Sequence, residues 1–211
     1  MRFVVRSRMR SVYSDRPVPI CLSATFYAGY LLVLLLIGGV SASASQYPEK
    51  TWQALQKGDA VALVRHANAP GTGDPPGFRL QDCSTQRNLS EKGRIQSRRI
   101  GDFFRARGIR EALVYSSQWC RCLETARLLG LGPVEELPAL NSFFHEPARE
   151  PEQTGKMRAF LSTFHRQEAA IFVTHQVNIT ALTGVFPSSG EIIIFRMEKS
   201  GQGKVLGRFT P

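Results

Sequence analysis

Leu63-Val64-Arg65-His66 places an arginine and a histidine directly behind an apolar run. Two later stretches repeat the arrangement: Val114-Tyr115-Ser116-Ser117, leading to Arg121, and Ile171-Phe172-Val173-Thr174-His175. Each run is short and continuously apolar, the pattern of a strand buried on both faces of a parallel sheet. In an open α/β sheet, ligands bind beyond the carboxyl ends of the strands. Arg65, His66, Arg121 and His175 are therefore expected to converge on one pocket. Arginine presents planar, bidentate donors, so such a pocket suits a phosphate. A histidine held among arginines can attack the phosphoryl group or donate a hydrogen bond to it.

Outward from these stretches, strands alternate with helices. A short helix over 51–57 precedes a strand at 60–64. A loop rich in Gly, Pro and Asp then runs from Ala67 to Asn88, and long loops in compact domains are often functional. Ser90 is the expected N-cap of the next helix, whose apolar face carries Ile100, Phe103 and Phe104 and which Gly108 stops. A strand at 113–116, a helix at 119–129 ended by Gly130 and a strand at 134–137 follow. After a second loop, 141–152, come a helix at 153–166, a strand at 171–174 and a helix at 176–182. Segments 191–197 and 204–209 close the chain as a hairpin or edge pair. The alternation predicts an α/β three-layer sandwich, its central sheet mainly parallel and flanked by helices.

The first 44 residues read differently from the rest. Five arginines and one acid are followed by an apolar segment from Phe26 to Val40 and by Ala42-Ser43-Ala44. Basic, apolar and small-residue regions in that order describe a secretory signal peptide, with an uncleaved anchor as the rival reading. The apolar stretch is short against the roughly 20 residues of a membrane span. Residues 45–211 form the expected domain, placed in the periplasm or outside the cell, with the membrane a partner only if the leader stays attached. The whole chain carries a net charge of +10, and removing the leader's five arginines and one aspartate leaves +6. The remaining excess favours an anionic ligand. There is no helix-turn-helix signature and no aromatic-basic stripe, so nucleic acid is not expected as a partner.

Beyond the leader the cysteines are Cys83, Cys120 and Cys122. Export permits a disulfide. Cys120 and Cys122 point to different sides of one helix and should not pair with each other. A bridge from Cys83 to either one, and three buried thiols, both remain open. The C-x-C spacing lacks a second ligand pair, so no metal site is expected.

Four motifs together resemble the histidine phosphatase superfamily, the phosphoglycerate mutase-like group. Leu63-Val64-Arg65-His66-Ala67 is similar to its R-H-G signature, and Leu89-Ser90-Glu91-Lys92-Gly93-Arg94-Ile95-Gln96-Ser97 to L-[ST]-x-x-G-x-x-Q-A. Ser116 to Ala126 resembles S-x-x-x-R-x-x-x-T-A with one extra position before the arginine. Val173-Thr174-His175 resembles the late V-[ST]-H. The resemblance spans roughly residues 60–196 with the motifs in the family's order. It implies that His66 takes the phosphoryl group, that Arg65 and Arg121 hold the phosphate oxygens, and that His175 donates to the same phosphate. It implies neither cofactor nor metal. The physical reading agrees, because charge spreads over the oxygens of a transferring phosphoryl group and the site must neutralise it. His145 and His165 are assigned no part in the chemistry, and Thr125-Ala126 reads as helix packing.

Two departures qualify the resemblance. Ala67 replaces the glycine after the nucleophile. Ser142 stands where the family's glutamate acid would be, in Leu140-Asn141-Ser142, and Gln176 replaces the aspartate that another branch carries after the late histidine. Serine cannot protonate a leaving alkoxide effectively near neutral pH. Glu146 and Asp74 are the remaining candidates for the acid. The expectation is an exported phosphohydrolase of small phosphorylated substrates, among them envelope glycans and lipid-linked phosphates. The alternative is a non-catalytic relative that only grips phosphate.

Overall fold

The computed structural model describes residues 46–164, 167–198 and 200–211. The segment read as a signal peptide and His165 lie outside these residues. The chain runs α1 (Gln46–Gln56), β1 (Val61–Arg65), α2 (Glu91–Arg105), β2 (Leu113–Ser116), α3 (Cys120–Leu129), β3 (Val134–Glu136), α4 (Glu150–Thr163), β4 (Ala170–Thr174), α5 (Gln176–Thr183), β5 (Ile192–Met197) and β6 (Gly203–Phe209).

The strands form one sheet in the order β3-β2-β4-β1-β5-β6. β3, β2, β4 and β1 are parallel, whereas β5 runs antiparallel to β1 and pairs with β6 as an antiparallel hairpin at the edge. Successive strand residues point to opposite faces, and both faces are apolar. Ala62, Val64, Val114, Ile171, Val173, Ile192 and Ile194 pack with Trp52, Ile100, Phe104 and Leu129 from α1, α2 and α3. Leu63, Tyr115, Phe172, Ile193 and Phe195 pack with Met157, Leu161, Ile179 and Leu182 from α4 and α5. These are the three layers that strand–helix alternation predicts, and burial on both faces explains why the strands read as unbroken apolar runs.

The register brings the three basic strand ends level. Arg65 pairs with Thr174 and Ser116 with Val173. The next backbone bonds continue the ladder, from His66 N–H to the Thr174 carbonyl and from Ser117 N–H to the Val173 carbonyl, both 2.9 Å. His66, Ser117 and His175 thus leave the sheet side by side.

Helix ends follow local chemistry. The Ser90 hydroxyl accepts from Gly93 N–H at 3.1 Å and starts α2. α3 stops at Gly130, whose φ of +62° suits a residue without Cβ. α4 begins at Glu150, three residues earlier than the sequence pattern suggests. Pro151 sits in its first turn, where a missing N–H costs nothing. α1 likewise starts at Gln46, ahead of the expected 51.

Gly101 fixes the contact between α2 and α3, since a Cβ there would lie 2.1 Å from the Leu129 carbonyl oxygen. Gly101→Ala should cost about 1–3 kcal/mol of stability through overpacking, read as a lower denaturation midpoint with an unchanged slope.

Candidate active site

The loops beyond β1, β2 and β4 enclose a cavity of about 300 Å³ lined by Arg65, His66, Asp74, Arg87, Arg121 and His175, with Ser142, Phe144 and Phe186 among its other walls. The four residues singled out at the strand ends therefore meet in one place. His66 and His175 stand edge to face with ring centres 5.5 Å apart.

The segment that follows His66 is held from three sides. Ala67 N–H donates to Thr125 Oγ1 at 3.1 Å, and that hydroxyl donates to the Arg121 carbonyl at 2.7 Å. Thr125 is thus more than packing, since it couples the segment after His66 to the helix that carries Arg121. Asn68 N–H donates to Gln96 Oε1 at 2.9 Å, and Gln96 Nε2 donates to the Ser189 carbonyl. A Cβ on Gly93 would lie 2.1 Å from the Asn68 oxygen. The glycine and glutamine of the second motif serve this one peptide.

Tautomers follow from donor rules. His66 Nδ1 lies 2.8 Å from the Ala67 carbonyl, which only accepts, so Nδ1 carries the proton and Nε2 keeps its lone pair. Burial first, then the charge of Arg121, pushes the His66 pKa down to about 3. His175 is also held well below its ordinary value, by burial and then by Arg121. Its Nδ1 faces the Arg121 guanidinium at 3.4 Å, and its Nε2 lies 2.8 Å from Ser117 Oγ.

Arg121 is 3% exposed and grips Asp74, itself 4% exposed, through two bonds: Nη1 to Oδ1 at 2.7 Å and Nη2 to Oδ2 at 3.2 Å. Trp119 Nε1–H donates to Oδ2 at 3.0 Å and Arg87 N–H to Oδ1 at 3.2 Å. His145 accepts from Asp74 N–H at 2.9 Å. The Trp119 ring is stacked by Phe78 and stands edge-on to His175. Arg87, which donates to the carbonyls of Gly73 and Ala69, and His145 were missed by motif reading. Composition alone hinted at Arg87, a basic residue in a Gly- and Pro-rich loop.

Glu146 is a correction. Its side chain is 67% exposed beside Arg149 at 4.0 Å, outside the cavity wall. It precedes the turn at Pro147–Arg149 that leads into α4, and that turn carries it to the surface. Ser142, at the position of the family's glutamate, does line the cavity.

Of the two bridges the sequence left open, Cys83–Cys120 is the one formed. It ties the 67–88 loop to the residue between Trp119 and Arg121. Cys122 is free, buried 3.5 Å from His175 Nε2, and burial pushes its thiol up to about 12, so it stays a thiol.

Two outcomes are expected. Breaking the bridge in Cys83→Ser should cost about 2–4 kcal/mol of stability and raise KM for phosphate ligands as the Asp74 loop loosens. Unchanged KM would show that the bridge does not hold the site. Second, both histidines are depressed below 6.5, so between pH 6.5 and 5 the unfolded chain binds their protons and the folded chain does not. Their contribution is complete above pH 6.5 and is lost as pH falls, by about 1.4 kcal/mol per pH unit for each histidine. His66→Asn should roughly halve that slope in denaturation series.

A family model for the histidine phosphatase superfamily (branch 1) matches residues 61–168. No curated protein matches the chain. Solved structures share its fold. The protein histidine phosphatase SixA, complexed with tungstate, is 16% identical with a TM-score of 0.53, over 72% of this chain and 97% of that one. A phosphoserine phosphatase from Entamoeba histolytica in complex with 3-phosphoglyceric acid is 13% identical with a TM-score of 0.51, over 72% and 97%. The product of open reading frame Rv3214 of Mycobacterium tuberculosis is 18% identical with a TM-score of 0.51, over 69% and 94%.

Proposed function

The chain belongs to the histidine phosphatase superfamily, and from that membership and the geometry of its cavity we propose that it is an exported, metal-independent phosphohydrolase acting through a phosphohistidine on His66. The observation that carries this reading is the Nε2 lone pair of a neutral His66, unpartnered among the described residues, on a cavity wall shared with three arginines.

The Nε atoms of Arg65 and Arg121 are buried without a hydrogen-bond partner among the described residues. Buried donors of that kind call for an acceptor, and phosphate oxygens supply one. Arg65, Arg87 and Arg121 together balance the charge that grows on the transferring group. The charge a metal would otherwise provide is thus already present. His66 Nε2 attacks phosphorus, the ester P–O bond breaks, and water then cleaves the P–N bond. Ser117 Oγ can donate to His175 Nε2 as well as accept from it. Arg121 only donates, so His175 Nδ1 accepts while it faces that guanidinium, and Nε2–H then donates to Ser117 Oγ.

The Cys83–Cys120 bridge supports export, since disulfides persist in oxidising compartments. Phe144 and Phe186, both exposed, stand on the cavity wall. They favour a leaving group with an apolar or ring face, in keeping with an envelope glycan or lipid-linked phosphate.

Rapidly quenched enzyme should carry an acid-labile, base-stable phosphoryl label that disappears in His66→Ala, and turnover should survive EDTA. Label in the variant would refute the nucleophile. Phosphate binding without turnover of any phosphomonoester would favour the non-catalytic alternative.

A further inference from the structure

Among the described residues Asp74 is the one carboxylate on the cavity wall, and its two oxygens occupy the Nη1 and Nη2 side of Arg121. That fork is the geometry in which a guanidinium holds two phosphate oxygens. Arg121 Nε is left without a partner among the described residues, and a phosphate that also takes the Nη donors competes with the carboxylate for them. Asp74 has other tethers: Trp119 Nε1–H on Oδ2, Arg87 N–H on Oδ1, and His145 on its own N–H. Losing Arg121 would leave the carboxyl still fixed at the wall, beside the incoming phosphate.

We propose that Asp74 is the counter-ion that an incoming phosphoryl group displaces from Arg121 and, once displaced, the proton donor to the leaving oxygen; this rests on the phosphohydrolase reading above. In the empty cavity, burial pushes its pKa up, but the hydrogen bond and charge of Arg121, with the hydrogen bonds from Trp119 and the Arg87 backbone, together outweigh burial and hold it below the usual carboxylate range. A phosphate dianion on Arg121 removes that support and adds negative charge nearby. Burial, like charge and loss of the ion pair then act together to favour the neutral acid.

A monoester monoanion enters and passes its proton to Asp74 as its oxygens settle on Arg121. His66 Nε2 forms the N–P bond, the P–O bond breaks, and the departing oxygen takes the Asp74 proton to leave as an alcohol. Water then attacks phosphorus, Asp74 takes its proton, and the P–N bond breaks to return neutral His66. Asp74 gives that proton to the departing phosphate and closes again on Arg121. The acid is thus armed only when substrate is present, and Ser142 need carry no proton.

Two readouts test this on the full chain. Tungstate, a dianion that does not itself protonate near neutral pH, should bind at pH 6 with uptake of close to one proton, read by calorimetry in buffers of different ionisation enthalpy. Asp74→Asn should bind tungstate at least as tightly with no uptake. In turnover, Asp74→Asn should slow an alkyl phosphate by roughly 10²–10⁴-fold and p-nitrophenyl phosphate by less than tenfold, while Glu146→Gln changes neither. Should Asp74→Asn fail to fold, the wild-type uptake and Asp74→Glu, which keeps a transferable proton, still decide. No proton uptake by the wild type, uptake persisting in Asp74→Asn, or equal slowing of both esters overturns the proposal. If His66 is still labelled in those cases, the hydrolase reading stands. A wild type that hydrolyses no phosphomonoester overturns both.

Discussion

A full positive charge on Arg121, 3% exposed, is the constraint around which the rest of the site is arranged. An unpaired charge at that depth would be strongly destabilising. The fold meets it with Asp74, brought from a loop 47 residues earlier in the chain. The remaining contacts keep that pairing in place. Trp119 and the Arg87 backbone hold the carboxylate, His145 holds its main chain, and Cys83–Cys120 anchors the loop beside the guanidinium. The carboxylate satisfies the arginine in the structure, and in the proposed mechanism a phosphate takes its place.

The same charge sets the state of the histidines. Burial and Arg121 keep His66 and His175 neutral, so the attack proposed for His66 needs no base to deprotonate it. The Ala67 carbonyl completes the preparation by fixing the proton on Nδ1. Ala67 replaces the family's glycine, yet it is fully buried in a small cluster with Ala69 and Leu89. Its methyl is therefore accommodated within that packing.

What the sequence made legible is what depends on neighbours along the chain. Apolar runs buried on both faces marked the parallel strands, Ser90 and Gly130 marked helix ends, and the level strand ends followed from topology. Arg65, His66, Arg121 and His175 could be grouped because each stands at or just past a strand end. What stayed hidden depends on long-range geometry. Arg87 and His145 act through the Asp74 loop, whose course no periodicity specifies. Glu146 lies within reach by residue count, but the turn at Pro147–Arg149 directs it to solvent. Cys120 and Cys122 were equivalent partners for Cys83 by spacing, and only the orientation of α3 separates them: Cys120 faces the loop, and Cys122 lies under His175.

In the proposed mechanism phosphorus is bonded by His66 while Arg121 exchanges Asp74 for the phosphoryl oxygens. The most direct measurement is a crystal structure of the protein with vanadate, which takes up the five-coordinate geometry of phosphoryl transfer. The account predicts vanadium within bonding distance of His66 Nε2, two of its oxygens on the Arg121 fork, and the Asp74 carboxyl turned toward the apical oxygen opposite His66. Vanadate bound away from His66, with the Asp74–Arg121 pair intact, would contradict it.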